Sequence, residues 1–269
     1  MSANTPTSKP RVRVREATPA DVDQIIDVHF AAFANDSFNQ LMYPNGVSAD
    51  ARAKFAASFF PPETPDTAAA AIKKGESLVM VAELFPDGNG GHSSGEIVGF
   101  ARWVLQREQR TEEEWNVVQP PPTEEMLGKG VDVDVYNAFI GELHNWRRKS
   151  AKGDPALFLG LIACKPSRQR IGAGTALLSW GAQLADKLGL PTFLEASPVG
   201  YGVYRKFGYE DIGVVDFAIT ERWGVVRSEG MYWGANNAVE IAGIAPEGIM
   251  RSVIMRRAPK PAAASVETA

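Results

Sequence analysis

The sequence contains very few of the residues that form disulfides or bind structural metals. Among its 269 residues there are one cysteine, Cys164, and three histidines. A single cysteine cannot form an internal disulfide, and so few thiols and imidazoles leave no zinc-binding spacing. We therefore expect neither a disulfide-stabilised secreted scaffold nor a metal centre.

An excess of basic residues and long apolar runs are also missing. Lys and Arg number 28 and Asp and Glu 32, which gives a net charge of −4, so the basic character typical of nucleic-acid binding is absent. No segment approaches the roughly 20 apolar residues of a membrane span, and residues 1–10 lack the pattern of a signal peptide. These absences predict a cytoplasmic protein that binds neither nucleic acid nor membrane.

The residues that are present indicate a packed domain. Hydrophobic residues make up 45% of the chain and charged residues 22%, which is typical of a globular protein. Polar and proline-containing ends predict flexible tails at residues 1–10 and 258–269. Between them we expect one domain over residues 11–257, with an insertion at residues 107–150.

Hydrophobic periodicity predicts strands that alternate with helices, and hence an α/β or α+β fold with a mixed sheet. An amphipathic run at 134–148 predicts a helix within the insertion, and an almost continuous apolar run at 157–164 predicts a central strand. The remaining predicted elements are an antiparallel hairpin of strands 77–84 and 96–105, strands at 11–16, 191–196, 209–219 and 250–256, and helices at 19–34, 50–60 and 198–207 and one ending near 188.

A short basic turn with two glycines follows the predicted central strand and leads into a helix without acidic residues in its first turns. The free N–H groups and partial positive charge of a helix N-terminus attract an anion. Gly172 and Gly174 allow a ligand to approach the backbone closely, and Arg168 and Arg170 add positive charge. Because the first carboxylate of this helix is Asp186, we expect no carboxylate of the protein to compete, and the turn predicts a site for a phosphate-bearing ligand.

The run Gln169-Arg170-Ile171-Gly172-Ala173-Gly174 resembles the Q/R-x-x-G-x-G/A motif of the GNAT superfamily of acyl-CoA-dependent N-acyltransferases, and it is similar to that of uncharacterised fungal members. The resemblance continues downstream and covers residues 159–209. One position departs from the family pattern, because Ser197 stands where an asparagine is common. The downstream positions that match the family spacing are Gly200, Val203, Tyr204, Gly208 and Tyr209.

This resemblance implies a GNAT-like fold with a mixed, mostly antiparallel central sheet flanked by helices, and acetyl-CoA as the acyl donor. Tyr204 occupies the position of the general acid of the family, and its ordinary pKa of about 10 keeps it protonated until it donates. Backbone groups at the end of the central strand are expected to bind the pantetheine and the thioester carbonyl. The expected coenzyme-binding residues are Ile162, Ala163, Cys164, Gln169, Arg170, Ile171, Gly172, Ala173, Gly174, Thr175, Ser197 and Tyr204.

The general base is not determined by the motif. No Glu, Asp or His lies within residues 157–164, where some relatives carry one. The candidates are Glu195 after the next strand, Asp36 between the first two helices and Glu83 on the hairpin; a water relay or an already neutral amine are the alternatives. Cys164 is interpreted as a core residue and not as a nucleophile, because no histidine pattern accompanies it.

The resulting hypothesis is direct transfer of an acetyl group from acetyl-CoA to a primary amine of a small molecule, within a ternary complex. The alternatives are a protein N-acetyltransferase and a non-catalytic acyl-CoA sensor. A homodimer is left open. The glycine-rich segment 221–248 is either part of a substrate lid or a long surface loop.

Overall fold

The computed structural model describes residues 11–61, 75–85 and 95–261. The predicted tails, except residues 258–261, and the turn expected between the strands of the hairpin lie outside this part of the chain.

In the described residues, seven strands form one sheet in the order β1-β2-β3-β4-β5-β7-β6. Every neighbouring pair is antiparallel except β4 and β5, which run parallel. The predicted mixed, mostly antiparallel sheet is therefore confirmed. The strands are β1 (Arg11–Glu16), β2 (Glu76–Phe85), β3 (Glu96–Gln106), β4 (Ala156–Cys164), β5 (Thr192–Ala196), β6 (Glu210–Phe217) and β7 (Met250–Arg257).

Helices cover both faces of this sheet. Consecutive residues of a strand point to opposite faces. Along β2, Val79 and Val81 pack with the helix Val22–Ala32, whereas Met80 and Ala82 pack with the helix Ala173–Leu188. The α-helices are α1 (Val22–Ala32), α2 (Ser37–Met42), α3 (Ala49–Ala57), α4 (Glu112–Trp115), α5 (Glu124–Leu127), α6 (Val133–Ala151), α7 (Ala173–Leu188), α8 (Tyr201–Lys206), α9 (Ile219–Trp223) and α10 (Val239–Ala242).

One glycine allows α7 to pack closely on the sheet. A Cβ atom on Gly181 would lie 2.1 Å from the ring of Trp103, which is fully buried on β3. The absence of a side chain at Gly181 therefore leaves room for the indole. Leu177 and Ala185 of the same helix are also buried. The helix ends at Gly189, whose φ of +66° is in the left-handed region that glycine adopts without a steric penalty.

The helix predicted within the insertion is confirmed and packs into the core. It spans Val133–Ala151, and its residues Phe139, Leu143 and Trp146 pack on a cluster that contains Phe38 and Phe217. This cluster lies on the face of the sheet that α1 also covers, since Ile254 belongs to it whereas its strand neighbours Val253 and Met255 contact the α7 side.

Near Asp36 the structure differs from the prediction. The helix predicted at 19–34 does end before Asn35-Asp36-Ser37, since α1 ends at Ala32. An additional helix that was not predicted, α2, begins there, because the side chain of Asp36 accepts a hydrogen bond from the N–H of Asn39 at 2.9 Å. Short polar side chains both break helices and cap them, which makes the two outcomes hard to separate in sequence.

Candidate active site

The central feature of the site is a gap between β4 and β5. The two strands pair only from Leu157 and Thr192 to Leu159 and Leu194. Beyond that point, residues 161–164 of β4 pair with β3 alone. Gly160 is consequently exposed to solvent although it lies in the middle of a central strand. A cleft therefore opens where a continuous sheet would be closed.

Two backbone N–H groups of β4 point into this gap. The N–H of Lys165 donates to the carbonyl of Val98 on the β3 side, at 2.8 Å. Hydrogen-bonding direction alternates along an antiparallel strand, so Ala163 also bonds toward β3, whereas Ile162 and Cys164 direct their N–H and C=O groups away from it. These two residues thus present unpaired donors at the position that the resemblance to the GNAT superfamily implies.

The glycine turn lies directly beside the end of β4. Arg170 and Gly172 have positive φ values of 63° and 89°, and the first backbone bond of α7 is donated by Ala176 to Gly172. The N–H groups of residues 173–175 therefore have no partner within the helix, and its first turn contains no acidic residue. A Cβ on Gly174 would be 3.5 Å from Sγ of Cys164, which brings these N–H groups to the mouth of the gap.

Most side chains of the turn face solvent. Gln169, Arg170, Ile171 and Thr175 are exposed, whereas Ala173 is buried against the sheet. The groups of the turn that could bind a diphosphate are therefore mainly backbone N–H groups. The guanidinium of Arg170 could add to them, because it has no salt bridge within the described part of the chain.

The expectation that no carboxylate of the protein competes at this turn is wrong. Glu96 of β3 lies 3.0 Å from Nζ of Lys165 and 2.9 Å from Nη2 of Arg168. The hydrogen bond from Lys165, followed by that from Arg168, lowers the pKa of Glu96 despite some desolvation. The pairing of β3 with β4 brings this acid to the turn from a distant part of the sequence, and it neutralises part of the charge of Arg168.

Tyr204 is buried on α8, with 8% of its surface exposed. Burial raises the pKa of its phenol, and the negative charge that Tyr209, Cys164 or Glu195 can carry nearby adds to this shift. The phenol is therefore protonated throughout the neutral range. Its electrostatic coupling to Cys164 places it near the end of β4, on the side of the sheet that α7 covers.

The surroundings of Cys164 and Ser197 indicate a structural role for each of them. Burial raises the pKa of the Cys164 thiol to about 11, so the thiol is protonated at neutral pH and is a poor nucleophile. Oγ of Ser197 accepts a hydrogen bond from the N–H of Gly200 at 3.3 Å and thereby caps the turn that precedes α8. Ser197 thus has a local role at the position where it departs from the family pattern.

The three predicted base candidates have very different surroundings. Glu83 lies on β2, separated from β4 by β3, and its carboxylate is 2.8 Å from Arg13 and 2.9 Å from Arg15. Asp36 accepts hydrogen bonds from the N–H groups of Asn39 and Phe38, but burial outweighs them and raises its pKa. Unlike Glu83, Asp36 forms no salt bridge with an arginine or a lysine among the described residues.

Glu195, the third candidate, is bound by a residue of α6. Its carboxylate accepts hydrogen bonds from Nε and Nη2 of Arg147 on α6, the former at 3.1 Å. Sequence reasoning missed Arg147, although it continues the four-residue spacing of Phe139 and Leu143 that predicts the inner face of this helix. It also missed Arg102 of β3 and Tyr136 of α6, for which no local pattern gave a signal.

The segment 221–248 is anchored to the structure around the site. Trp233 is buried, and its Nε1 donates to Oγ of Ser37 at 3.2 Å, next to Asp36. Asn237 is also buried and donates to the carbonyl of Pro198 at 2.9 Å. These bonds join the segment to the starts of both α2 and the turn before α8, which favours the wall of a site over a detached surface loop.

Among the described residues, no helix has the length and apolar composition needed to cross a bilayer. The same residues contain no group of three or more His, Cys, Asp and Glu side chains arranged to hold a metal ion.

Comparison with known proteins finds no matching family model and no matching curated relative. Solved structures do match. A histone acetyltransferase HPA2 and related acetyltransferase from Corynebacterium glutamicum is 20% identical, with a TM-score of 0.46 over 95% of this chain and 99% of that chain. A mosquito arylalkylamine N-acetyltransferase like 5b is 15% identical, with a TM-score of 0.47 over 92% and 100% of the two chains.

A third match is a GNAT superfamily phosphinothricin acetyltransferase from Sinorhizobium meliloti in complex with acetyl-CoA. It is 14% identical, with a TM-score of 0.43 over 94% of both chains. Identities of this size do not identify a substrate.

Proposed function

We propose that this chain is an acyl-CoA-dependent N-acetyltransferase that transfers an acetyl group from acetyl-CoA to a primary amine of a small molecule. The observation that carries the proposal is the gap between β4 and β5, with the N–H groups of Ile162 and Cys164 directed into it. The free N–H groups at the start of α7 lie at its mouth. A diphosphate at the helix start and a thioester beside β4 both fit this arrangement of donors.

The N–H groups in the gap would stabilise the oxyanion that forms when an amine attacks the thioester carbonyl. Where such donors have been removed in other enzymes, the loss is about 3 kcal/mol each. The C–N bond forms as the C–S bond breaks, so the sulfur of the leaving group requires a proton. Tyr204 supplies it in this proposal, because its phenol is buried, protonated and near Cys164.

The amine must lose a proton as well, since an ordinary alkylamine with a pKa of about 10.4 is almost fully protonated at pH 7. Asp36 is the base candidate that the surroundings favour. Glu83 and Glu195 are each held by arginines, whereas the carboxylate of Asp36 has only backbone partners and a raised pKa. We therefore assign the proton transfer from the amine to Asp36, directly or through water.

Tyr204→Phe tests the proposal. The variant removes one oxygen from a buried ring, so the fold should persist while kcat falls about 100-fold, within the range for loss of a general acid. Coenzyme A release with a panel of primary amines measures turnover, and calorimetry with coenzyme A should give an affinity within about threefold of the unmodified protein.

Tyr209→Phe is the matched control. Its ring lies 6.1 Å from that of Tyr204, and its pKa is also raised by burial, but it follows α8 and is not assigned to the transfer. Full activity of Tyr204→Phe would remove Tyr204 as the acid. Coenzyme A binding without release from any amine would instead favour the acyl-CoA sensor.

A further inference from the structure

On the side opposite α7 the gap is open at Gly160, and the side chain of one arginine borders it. A Cβ placed on exposed Gly160 would meet only two atoms within 4 Å, the carbonyl oxygen of Arg102 at 3.5 Å and Nη1 of Arg147 at 3.8 Å. Leu194 and Ala196 pack on the α7 side of the sheet, so Glu195 between them faces the same side as α6. Gly160, Arg147 and Glu195 therefore lie on the same face of the sheet at the gap.

Arg147 is held rigidly but has one free edge. Its Nε and Nη2 donate to the two oxygens of Glu195, whose side chain is only 6% exposed. The third nitrogen, Nη1, is the one side-chain atom within 4 Å of a Cβ placed on Gly160 among the described residues. The salt bridge thus fixes the guanidinium with Nη1 directed toward the floor of the gap.

Arg102 supplies a second positive charge without a carboxylate partner among the salt bridges of the described residues. Its Nε donates to Oγ of Ser77 at 3.2 Å, and its guanidinium lies 5.5 Å from the ring centre of Phe59. Burial, and then the positive charge of Arg147, lower its pKa, while Tyr136 acts in the opposite direction. A half-buried cation beside a like charge is unfavourable unless an anion compensates it.

The charges of the two arginines and Glu195 add up to one net positive charge. Guanidinium groups bind carboxylates and related acids through paired N–H donors, which suits them for recognising an anion in a partly desolvated site. The open floor at Gly160 leaves space for such a group next to Nη1 of Arg147. Arg102 and Arg147 lie on the face of the sheet opposite α7. The coenzyme diphosphate would bind on the α7 side, so an acceptor would approach from the side of the arginines.

We infer that the acceptor carries an anionic group in addition to its primary amine, a carboxylate or a similar acid, which binds to Nη1 of Arg147 above Gly160, while Arg102 supplies a second positive charge on the same face of the sheet. The inference rests on the proposed function and specifies its substrate class as amino-acid-like amines. The acid of the acceptor neutralises the net charge of the site, and its position holds the amine toward the thioester.

Matched pairs of amines test this inference with the full chain and acetyl-CoA. Each amino acid is compared with the amine that lacks its carboxylate: phenylalanine with 2-phenylethylamine, β-alanine with ethylamine, and 4-aminobutyrate with propylamine. For at least one spacing we expect kcat/KM for the acid to exceed that for its partner at least tenfold, mainly through a lower KM. In Arg102→Met this ratio should fall to within about threefold of one.

Arg107→Gln is the control variant, because Arg107 follows the same strand but lies at the surface and pairs with Glu76 at 3.2 Å. It should retain the ratio of the unmodified protein. A second measurement does not need turnover: 3-phenylpropionate, which has the acid but no amine, should bind at least fivefold more weakly to Arg102→Met in calorimetry.

Three outcomes would overturn the inference. Ratios near one in the unmodified protein, with coenzyme A released, would leave the transferase intact and remove the acid-binding site. Binding of 3-phenylpropionate that does not change in Arg102→Met would do the same even if no amine is acetylated. A preference for succinyl-CoA over acetyl-CoA that Arg102→Met abolishes would assign the arginines to the acyl donor instead of the acceptor.

Discussion

The two sides of the gap between β4 and β5 are built in different ways. On the α7 side, contiguous residues from Gln169 to Thr175 present backbone N–H groups, and few side chains take part. On the α6 side, the polar groups are side chains from separate elements: Arg102 of β3, Arg147 of α6 and Glu195 of β5. A site made of backbone tolerates changes in side-chain identity, whereas one made of side chains depends on each of them.

The strongest test of this difference is a single-atom change on the acceptor side. Asp36→Asn replaces a carboxylate oxygen by nitrogen, and asparagine caps a helix as well as aspartate does. We expect the stability to change little but kcat to fall about 100-fold, which is typical for loss of a general base. Coenzyme A release at saturating amine measures kcat, and thermal unfolding measures stability.

Asp36→Ala separates capping from catalysis, since it should lose the same activity and in addition about 1 kcal/mol of stability. If Asp36→Asn retains the kcat of the unmodified protein, proton removal from the amine does not depend on this carboxylate, and a water relay or a neutral amine becomes the better explanation.

On the coenzyme side, we expect added bulk to matter more than lost side chains. Gly174→Trp would extend a large ring from a position 3.5 Å from Sγ of Cys164 into the mouth of the gap. Coenzyme A should then bind at least tenfold more weakly in calorimetry. Gly141→Trp is the matched control, a helix glycine of α6 with no atom within 4 Å of its Cβ position. Equal affinities of the two variants would contradict a coenzyme site at the turn.

The same contrast determines how much of the site could be predicted from the sequence. The turn at Gly172 and Gly174 is local, because a strand, two glycines and an acid-free helix start follow one another directly. The salt bridges of Glu96 with Lys165 and of Arg147 with Glu195 are not local. They depend on which strands become neighbours and on where α6 packs, and neither is encoded within a few residues.

Strands and long helices were predictable for a related reason. The apolar run at residues 157–164 and the spacing of Phe139, Leu143 and Trp146 reflect burial that each element carries in its own sequence. The short helix α2 was not predictable, because Asn35, Asp36 and Ser37 favour a turn and a helix start equally. The end of pairing after Leu159 also leaves no trace in an apolar strand, so a binding role for the backbone groups at the end of this strand was expected only through the family resemblance.

The smallest expected effect concerns stability on the acceptor side of the sheet. His29 of α1 packs against Phe55, with ring centres 4.4 Å apart, and burial lowers its pKa from 6.5 to about 4. Because the folded pKa is below the unfolded one, protons bind preferentially to the unfolded chain as the pH falls below 6.5. The part of the free energy of unfolding that depends on neutral His29 at pH 7.5 is therefore lost progressively between pH 6.5 and 4. About 1 kcal/mol of it is lost by pH 5.5.

His29→Phe should remove this part of the pH dependence, since an aromatic ring without a titrating nitrogen fits among Phe30, Phe33 and Phe55. Urea unfolding at pH 7.5 and at pH 5.5 gives the loss of stability on acidification for each protein. Comparing the two losses cancels any effect of the substitution on packing that does not depend on pH. The loss on acidification should be about 1 kcal/mol smaller in the variant. An equal loss in both proteins would mean that the imidazole is protonated within the fold, and the layer between α1 and the sheet would then be more accessible to water than its burial implies.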